Sequence, residues 1–139
     1  MSAAITFAYL IRDPAIGSAS LAPMLPLTLE TSNEVSTLAL VDSGATVNVM
    51  PFSVGEQLGF RWEEQTRAIS LSGNLARTEA RVVTVSAKVG DFDPVRLAFA
   101  WTKTDASPLI LGQVNFFMEF DVCFFRSRES FEVRPKAMH

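Results

Sequence analysis

Apolar side chains recur at every second residue along most of this chain, in short runs of Val, Ile, Leu, Phe and Thr separated by turn-forming residues. That period is the one of β-strands with one buried face. Ile5, Phe7, Tyr9 and Ile11 alternate with Thr6, Ala8 and Leu10, and predict a first strand. The stretch from Asp13 to Pro26, with its Pro, Ala, Ser and Gly residues, then reads as a long surface connection. Leu27 to Thr31 and Val35 to Val41 flank Ser32, Asn33 and Glu34, a predicted hairpin. Its second arm is apolar on both faces after Thr37 and is expected to run through the middle of the domain.

Pro51 to Leu58, closed by Gly59, has Pro at a first helical turn and Gly just past the end, and predicts a short helix. Val83, Val85, Ala87 and Val89 alternate with Thr84, Ser86 and Lys88; after Gly90-Asp91, Val95, Leu97, Phe99 and Trp101 resume the alternation. This is a second hairpin with one buried face. Pro108 to Leu111 predicts a short strand ending at Gly112, Gln113 to Glu119 one or two helical turns, and Phe120 to Phe125 with Phe131 to Val133 a last hairpin. The expected fold class is mainly β with one or two short helices, and 139 residues without internal repeat suit a single domain over 1–139.

Composition narrows the function classes. With 48% hydrophobic and 19% charged residues the chain is built to fold. A net charge of -3 and the lack of any basic run argue against nucleic acid or anionic membrane as partners. The apolar stretch from Ala3 to Ile11 lacks a basic leader and is too short to span a bilayer. Cys123, the sole cysteine, stands between Val122 and Phe124; it excludes an intrachain disulfide, is expected to be a buried thiol, and suits a reducing cytoplasm.

Catalytic chemistry is constrained by what is missing. His139 is the only histidine and the last residue, so neither a Ser-His or Cys-His couple nor a tetrahedral zinc site is expected. Neither common spacing of a Gly-rich phosphate loop occurs, and no metal or cofactor is implied. Carboxylates remain. Asp42 stands out because Leu38-Ala39-Leu40-Val41 delivers it at the end of a strongly apolar strand, while Ser43, Gly44 and Ala45 are small enough to let a substrate or another backbone approach. Taken alone, Asp-Ser-Gly reads better as a capped turn than as a site.

Its flanks add to the signal. Leu40-Val41-Asp42-Ser43-Gly44-Ala45 resembles the apolar-apolar-Asp-Thr/Ser-Gly-Ala signature of the retropepsin family of aspartic proteases. Pro108-Leu109-Ile110-Leu111-Gly112, followed by Phe116 and Phe117, resembles the family's strand-Gly-helix element, which packs beneath the Asp loop. The likeness covers residues 26–134. It implies a retropepsin-like closed β-barrel, with Asp42, Ser43 and Gly44 as catalytic residues and Ala45 and Thr46 bordering the substrate. Two positions depart from the family: Thr46 stands where Asp is frequent and Gln113 where Arg is frequent. The ion pair of those relatives is expected to be replaced by a polar contact between the two side chains.

Peptide hydrolysis by this chemistry needs two carboxylates sharing a proton, and the chain holds one Asp-Ser-Gly. Asp91 and Asp93 lie in a turn-like segment, and Asp121 lacks small neighbours, so none is an internal partner. A two-fold homodimer would supply the second Asp42, and by resemblance Ser43 would brace the two loops across the axis. Asp42 to Ala45, with the terminal strands around Ile5 to Ile11 and Phe120 to Phe125, are the candidate interface. A lid over the cleft is expected in Ile69 to Arg77, with Ser72, Gly73 and Asn74 as a hairpin tip touching substrate; an ordinary surface hairpin has the same pattern. Trp62, Trp101, Phe116 and Phe117 are expected in core or dimer packing.

The resulting expectation is an aspartic endopeptidase acting on an extended peptide through water activated between two Asp42 carboxylates. The alternative is a catalytically inactive retropepsin-fold module for dimerisation or peptide binding, to which intact Asp42, Ser43 and Gly44 are opposed. A β domain binding a small ligand rests on composition alone.

Overall fold

A computed structural model describes residues 3–137; His139 lies outside them. The strands are β1 (Ile5–Ala8), β2 (Leu10–Ile11), β3 (Leu21–Ala22), β4 (Met24–Glu30), β5 (Glu34–Val41), β6 (Val49–Met50), β7 (Ala80–Lys88), β8 (Val95–Thr102), β9 (Ile110–Leu111), β10 (Phe120–Phe125) and β11 (Ser130–Pro135). The helices are α1 (Phe52–Gln57) and α2 (Phe116–Glu119). A closed barrel runs β4-β5-β9-β6-β8-β7, a three-stranded sheet β1-β11-β10 lies beside it, and β2 pairs with β3.

Period-two patterning places the barrel's inner face. Leu25, Leu27 and Leu29 of β4, Val83, Val85 and Ala87 of β7, and Leu97, Phe99 and Trp101 of β8 are all buried in one cluster. The polar neighbours Thr84, Lys88 and Arg96 are exposed, while Thr102 is buried and donates to Met50 O, and β7 and β8 pair antiparallel from Ala80↔Thr102 to Ala87↔Val95, as the sequence predicts. The last hairpin also forms, from Phe120↔Pro135 to Phe125↔Ser130. Against Trp101 the indole of Trp62 and the rings of Phe52 and Phe60 pack at centroid distances of 5.3 to 5.8 Å, so the aromatics are core, as expected. Gly55 of α1 is required here, because a Cβ on it would lie 2.1 Å from Trp101 Nε1.

Several expectations need correction. The first strand is interrupted at Tyr9, and its halves join different sheets: β1 pairs with β11 and β2 with β3. The connection ends earlier than expected, since β3 and the start of β4, including Pro26, are strand. Pro26 is tolerated for a geometric reason. Val41 donates to Pro23 O at 2.9 Å, which sets the alternation of the β4/β5 ladder and turns the Pro26 nitrogen away from β5, while β7 joins β4 only from Thr28 onward.

β5 is central in pairing, with β4 on one side and β9 on the other, yet Leu38 is 44% exposed. Central position in a sheet does not cover both of its faces. Cys123 is exposed rather than buried, because β10 is the outer strand of its sheet and Cys123 alternates away from Phe120 and Val122, which face the core. No helix among the described residues is long and apolar enough to cross a membrane.

Candidate active site

Asp42 is the residue at which β5 leaves the barrel. Its amide donates to Leu111 O at 3.0 Å, extending the parallel β5/β9 pairing of Leu40↔Ile110 and Val41↔Leu111 by one bond. The chain then turns sharply. Ala45 N donates to Asp42 O at 3.1 Å, and Gly44 N donates to Asp42 Oδ1 at 2.9 Å. The Asp side chain therefore caps its own turn and is held in one orientation by doing so; among the described residues Oδ2 has no hydrogen-bond partner. Asp42 is half-buried and has no ion-pair partner among the described residues. A Cβ on Gly44 would come within 3.3 Å of Asp42 Oδ1, so a small residue there keeps the carboxylate approachable.

The loop is clamped from below by residues 112–114. Gln113 N donates to Ala45 O at 2.9 Å and Val114 N to Thr46 O at 2.8 Å. The expected contact between the Thr46 and Gln113 side chains is not formed. Gln113 Nε2 instead donates to Ser43 O at 2.8 Å, because an amide, unlike a guanidinium, gains as much from a backbone carbonyl as from a side-chain partner. The element Pro108 to Gly112 does pack beneath the Asp42 loop, as the resemblance implies.

Asn48 joins these pieces, and sequence reasoning missed it. It is fully buried. Its Oδ1 accepts from Gly112 N at 2.8 Å, and its Nδ2 donates to Ala98 O at 2.9 Å and to Asn115 Oδ1 at 3.1 Å. Asn115 in turn accepts from Ala98 N and donates to Arg96 O. The available signal was a lone amide inside Val47-Asn48-Val49-Met50, where a polar residue must find partners. Asn48→Ala should leave the Gly112 amide and the Ala98 carbonyl short of a partner and lower stability by about 3 kcal/mol. Urea unfolding measures this, and a loss below about 0.5 kcal/mol would contradict the account.

A cleft of about 370 Å³ opens between the Asp42 loop and residues 70–75. Gly44, Ala45 and Thr46 line it from one side and Ser72 and Gly73 from the other. Asp42, Ser43 and Asn74 are outside that wall; Ser43 and Asn74 are exposed to solvent. The floor and sides are aliphatic: Val47, Val49, Leu71, Leu75 and Ile110. Ile110 belongs to the Gly112 motif and Leu71 and Leu75 to the expected lid, but none of the five was expected to line the cleft, because alternation marks them only as strand or loop apolar positions. The covering segment is not the two-armed hairpin expected. It holds a 3-10 turn over Gly73–Leu75, entered with Gly73 at a φ of 63°, and at its foot a single bridge, Ala68↔Arg81, since its flanks lack the cross-strand apolar pairs that hold a ribbon together.

Comparison with known proteins agrees with this geometry. The fold matches the crystal structure of a retropepsin-like aspartic protease from Rickettsia conorii with a TM-score of 0.64, at 18% identity, over 94% of this chain and 89% of that one. The chain thus has a retropepsin-like fold. No curated protein sequence matches. A family model described as aspartyl protease matches residues 26–114, which span the Asp42 loop, the cleft and the Gly112 element. The chain belongs to the aspartyl protease family.

Proposed function

We propose that this chain is an aspartic endopeptidase that works as a two-fold homodimer, with Asp42 of each copy forming the catalytic pair. The observation that carries the reading is the placement of Asp42: a half-buried carboxylate without an ion-pair partner, on a tight turn of small residues, beside an aliphatic cleft. One Asp42 acts as base on a water, the other donates a proton to the scissile carbonyl, and no covalent intermediate forms. Ser43 and Gly44 shape the loop, Ala45 and Thr46 border the bound peptide, and Ile69 to Arg77 act as the lid, touching substrate through Ser72, Gly73 and Asn74. The substrate is an extended peptide, with aliphatic or aromatic side chains entering the space between Val49, Leu75 and Ile110. No metal or cofactor takes part.

The test combines turnover with dilution. A peptide library should be cleaved, and a transition-state-mimicking aspartic protease inhibitor should block the cleavage. Activity per subunit should fall as the protein is diluted through the dissociation constant of the dimer, because a monomer holds half a site. Full specific activity in a sample that light scattering shows to be monomeric would contradict the shared site.

A further inference from the structure

The tip of the segment that covers the cleft is tied to itself and not to the barrel. Among the described residues, the backbone bonds of residues 70–78 stay within the segment: Leu75 N to Ser72 O, Ala76 N to Gly73 O, and Thr78 N to Leu75 O. Where it sits is therefore decided at its foot. There Val82 N donates to Arg67 O at 2.8 Å, Ile69 N to Ala80 O at 3.1 Å, and Lys103 N to Glu79 O at 3.1 Å. One side chain reinforces this foot. Arg81 Nη1 donates to Trp62 O at 2.7 Å and to Gln65 O at 3.1 Å, carbonyls at the start and just past the end of the short 3-10 turn Trp62–Glu64 that leads into the segment. Its guanidinium also lies 4.5 Å from the centroid of the Trp62 ring, and that ring is wedged against Trp101 in the core.

We infer that Arg81 is a positioning residue for the cleft: by fixing the foot of residues 66–79 to the Trp62 and Trp101 cluster, it sets the fraction of molecules whose covering segment is placed to receive a peptide. The inference rests on the proposed proteolytic function for its kinetic part only. A guanidinium fork suits the task, because one of its arms, Nη1, donates to both carbonyls while the planar group lies over the Trp62 ring, a stacked arrangement that a compact ammonium does not reproduce. Arg81 is far along the chain from Asp42 and makes no contact with the Asp42 loop in the hydrogen-bond network, so it acts on binding and not on the chemical step. When only a fraction of molecules is binding-competent, apparent affinity falls by that fraction while turnover of the bound complex is preserved.

The experiment compares wild type with Arg81→Met, which keeps the stem and removes charge and donors, and Arg81→Lys, which restores charge without the fork. Hydrogen exchange of residues 66–79 and steady-state cleavage of one peptide are measured on all three. Arg81→Met should speed exchange of the Ile69 and Val82 amides about tenfold and raise KM about tenfold, with kcat within about twofold; Arg81→Lys should fall between. Unchanged exchange and KM in Arg81→Met, or a loss confined to kcat, would overturn the inference. Should Arg81→Met not fold, Arg81→Lys carries the same test, with wild-type exchange and KM as the overturning result. Should wild type prove inactive, the proposed function fails and the exchange measurement still decides the role of Arg81.

Discussion

Asp42→Asn is expected to abolish the proposed peptide hydrolysis, with a loss of at least about a thousandfold in kcat, while the purified variant should keep its fold and its oligomeric state. The general-base role is worth about two to four powers of ten, and in a two-fold site each substitution removes both members of the pair. The fold survives because the amide nearly matches the carboxylate in shape and its oxygen still accepts the bond from Gly44 N, 2.9 Å away in the wild type. The Asp42 amide bond to Leu111 O belongs to the backbone and is untouched. Circular dichroism and light scattering check the structure, and cleavage of a fluorogenic peptide checks the chemistry. Undiminished cleavage by the variant would remove Asp42 from the mechanism, whereas absence of cleavage by the wild type would leave the inactive-module reading in its place.

How far the sequence reaches is visible in which contacts it does and does not reveal. The β7/β8 hairpin, α1 and the closing β10/β11 hairpin are each local, so alternation, a Pro-to-Gly helix signal and a Gly90 turn sufficed to predict them. Asp42 was legible as a candidate because an acidic residue at the end of Leu38 to Val41 conflicts with its surroundings, and such conflicts are where a site is to be sought. The clamp below it was legible only as a family resemblance. Nothing local says that Gln113 reaches the carbonyl of Ser43 or that Asn48 reaches Gly112, since these bonds join residues about seventy and sixty-four positions apart and follow from barrel closure. Leu38 and Cys123 went wrong together. Both were read as buried from their apolar neighbours in sequence, whereas burial depends on what covers a face, and β5 and β10 each leave one face open.

Gly112→Ala tests whether the clamp positions the Asp42 loop or merely fills space. A Cβ at Gly112 would lie 2.6 Å from Val47 O, 2.8 Å from Ala45 O and 2.9 Å from the Val47 carbonyl carbon, and all three are backbone atoms of the segment that follows Asp42. No side-chain rotation relieves that contact. Either residues 45–47 lift or Gly112 sinks away from Asn48 Oδ1, so the expected destabilisation is about 3 kcal/mol, at the upper end of overpacking costs. The loop displacement should also lower kcat about a hundredfold in the molecules that remain folded, as misplacement of reacting groups by about an ångström does. Gly55→Ala is the matched control. Its Cβ would strike the Trp101 indole at 2.1 Å, on the α1 side of the core, and it should destabilise at least as much while the folded fraction keeps its turnover within a few-fold. Unfolding curves give the two stabilities, and active-site titration with a tight inhibitor normalises kcat to folded sites. If both variants lost stability but neither lost turnover per folded site, the Gly112 element would be packing alone and the orientation of Asp42 would have to come from its own turn with Gly44.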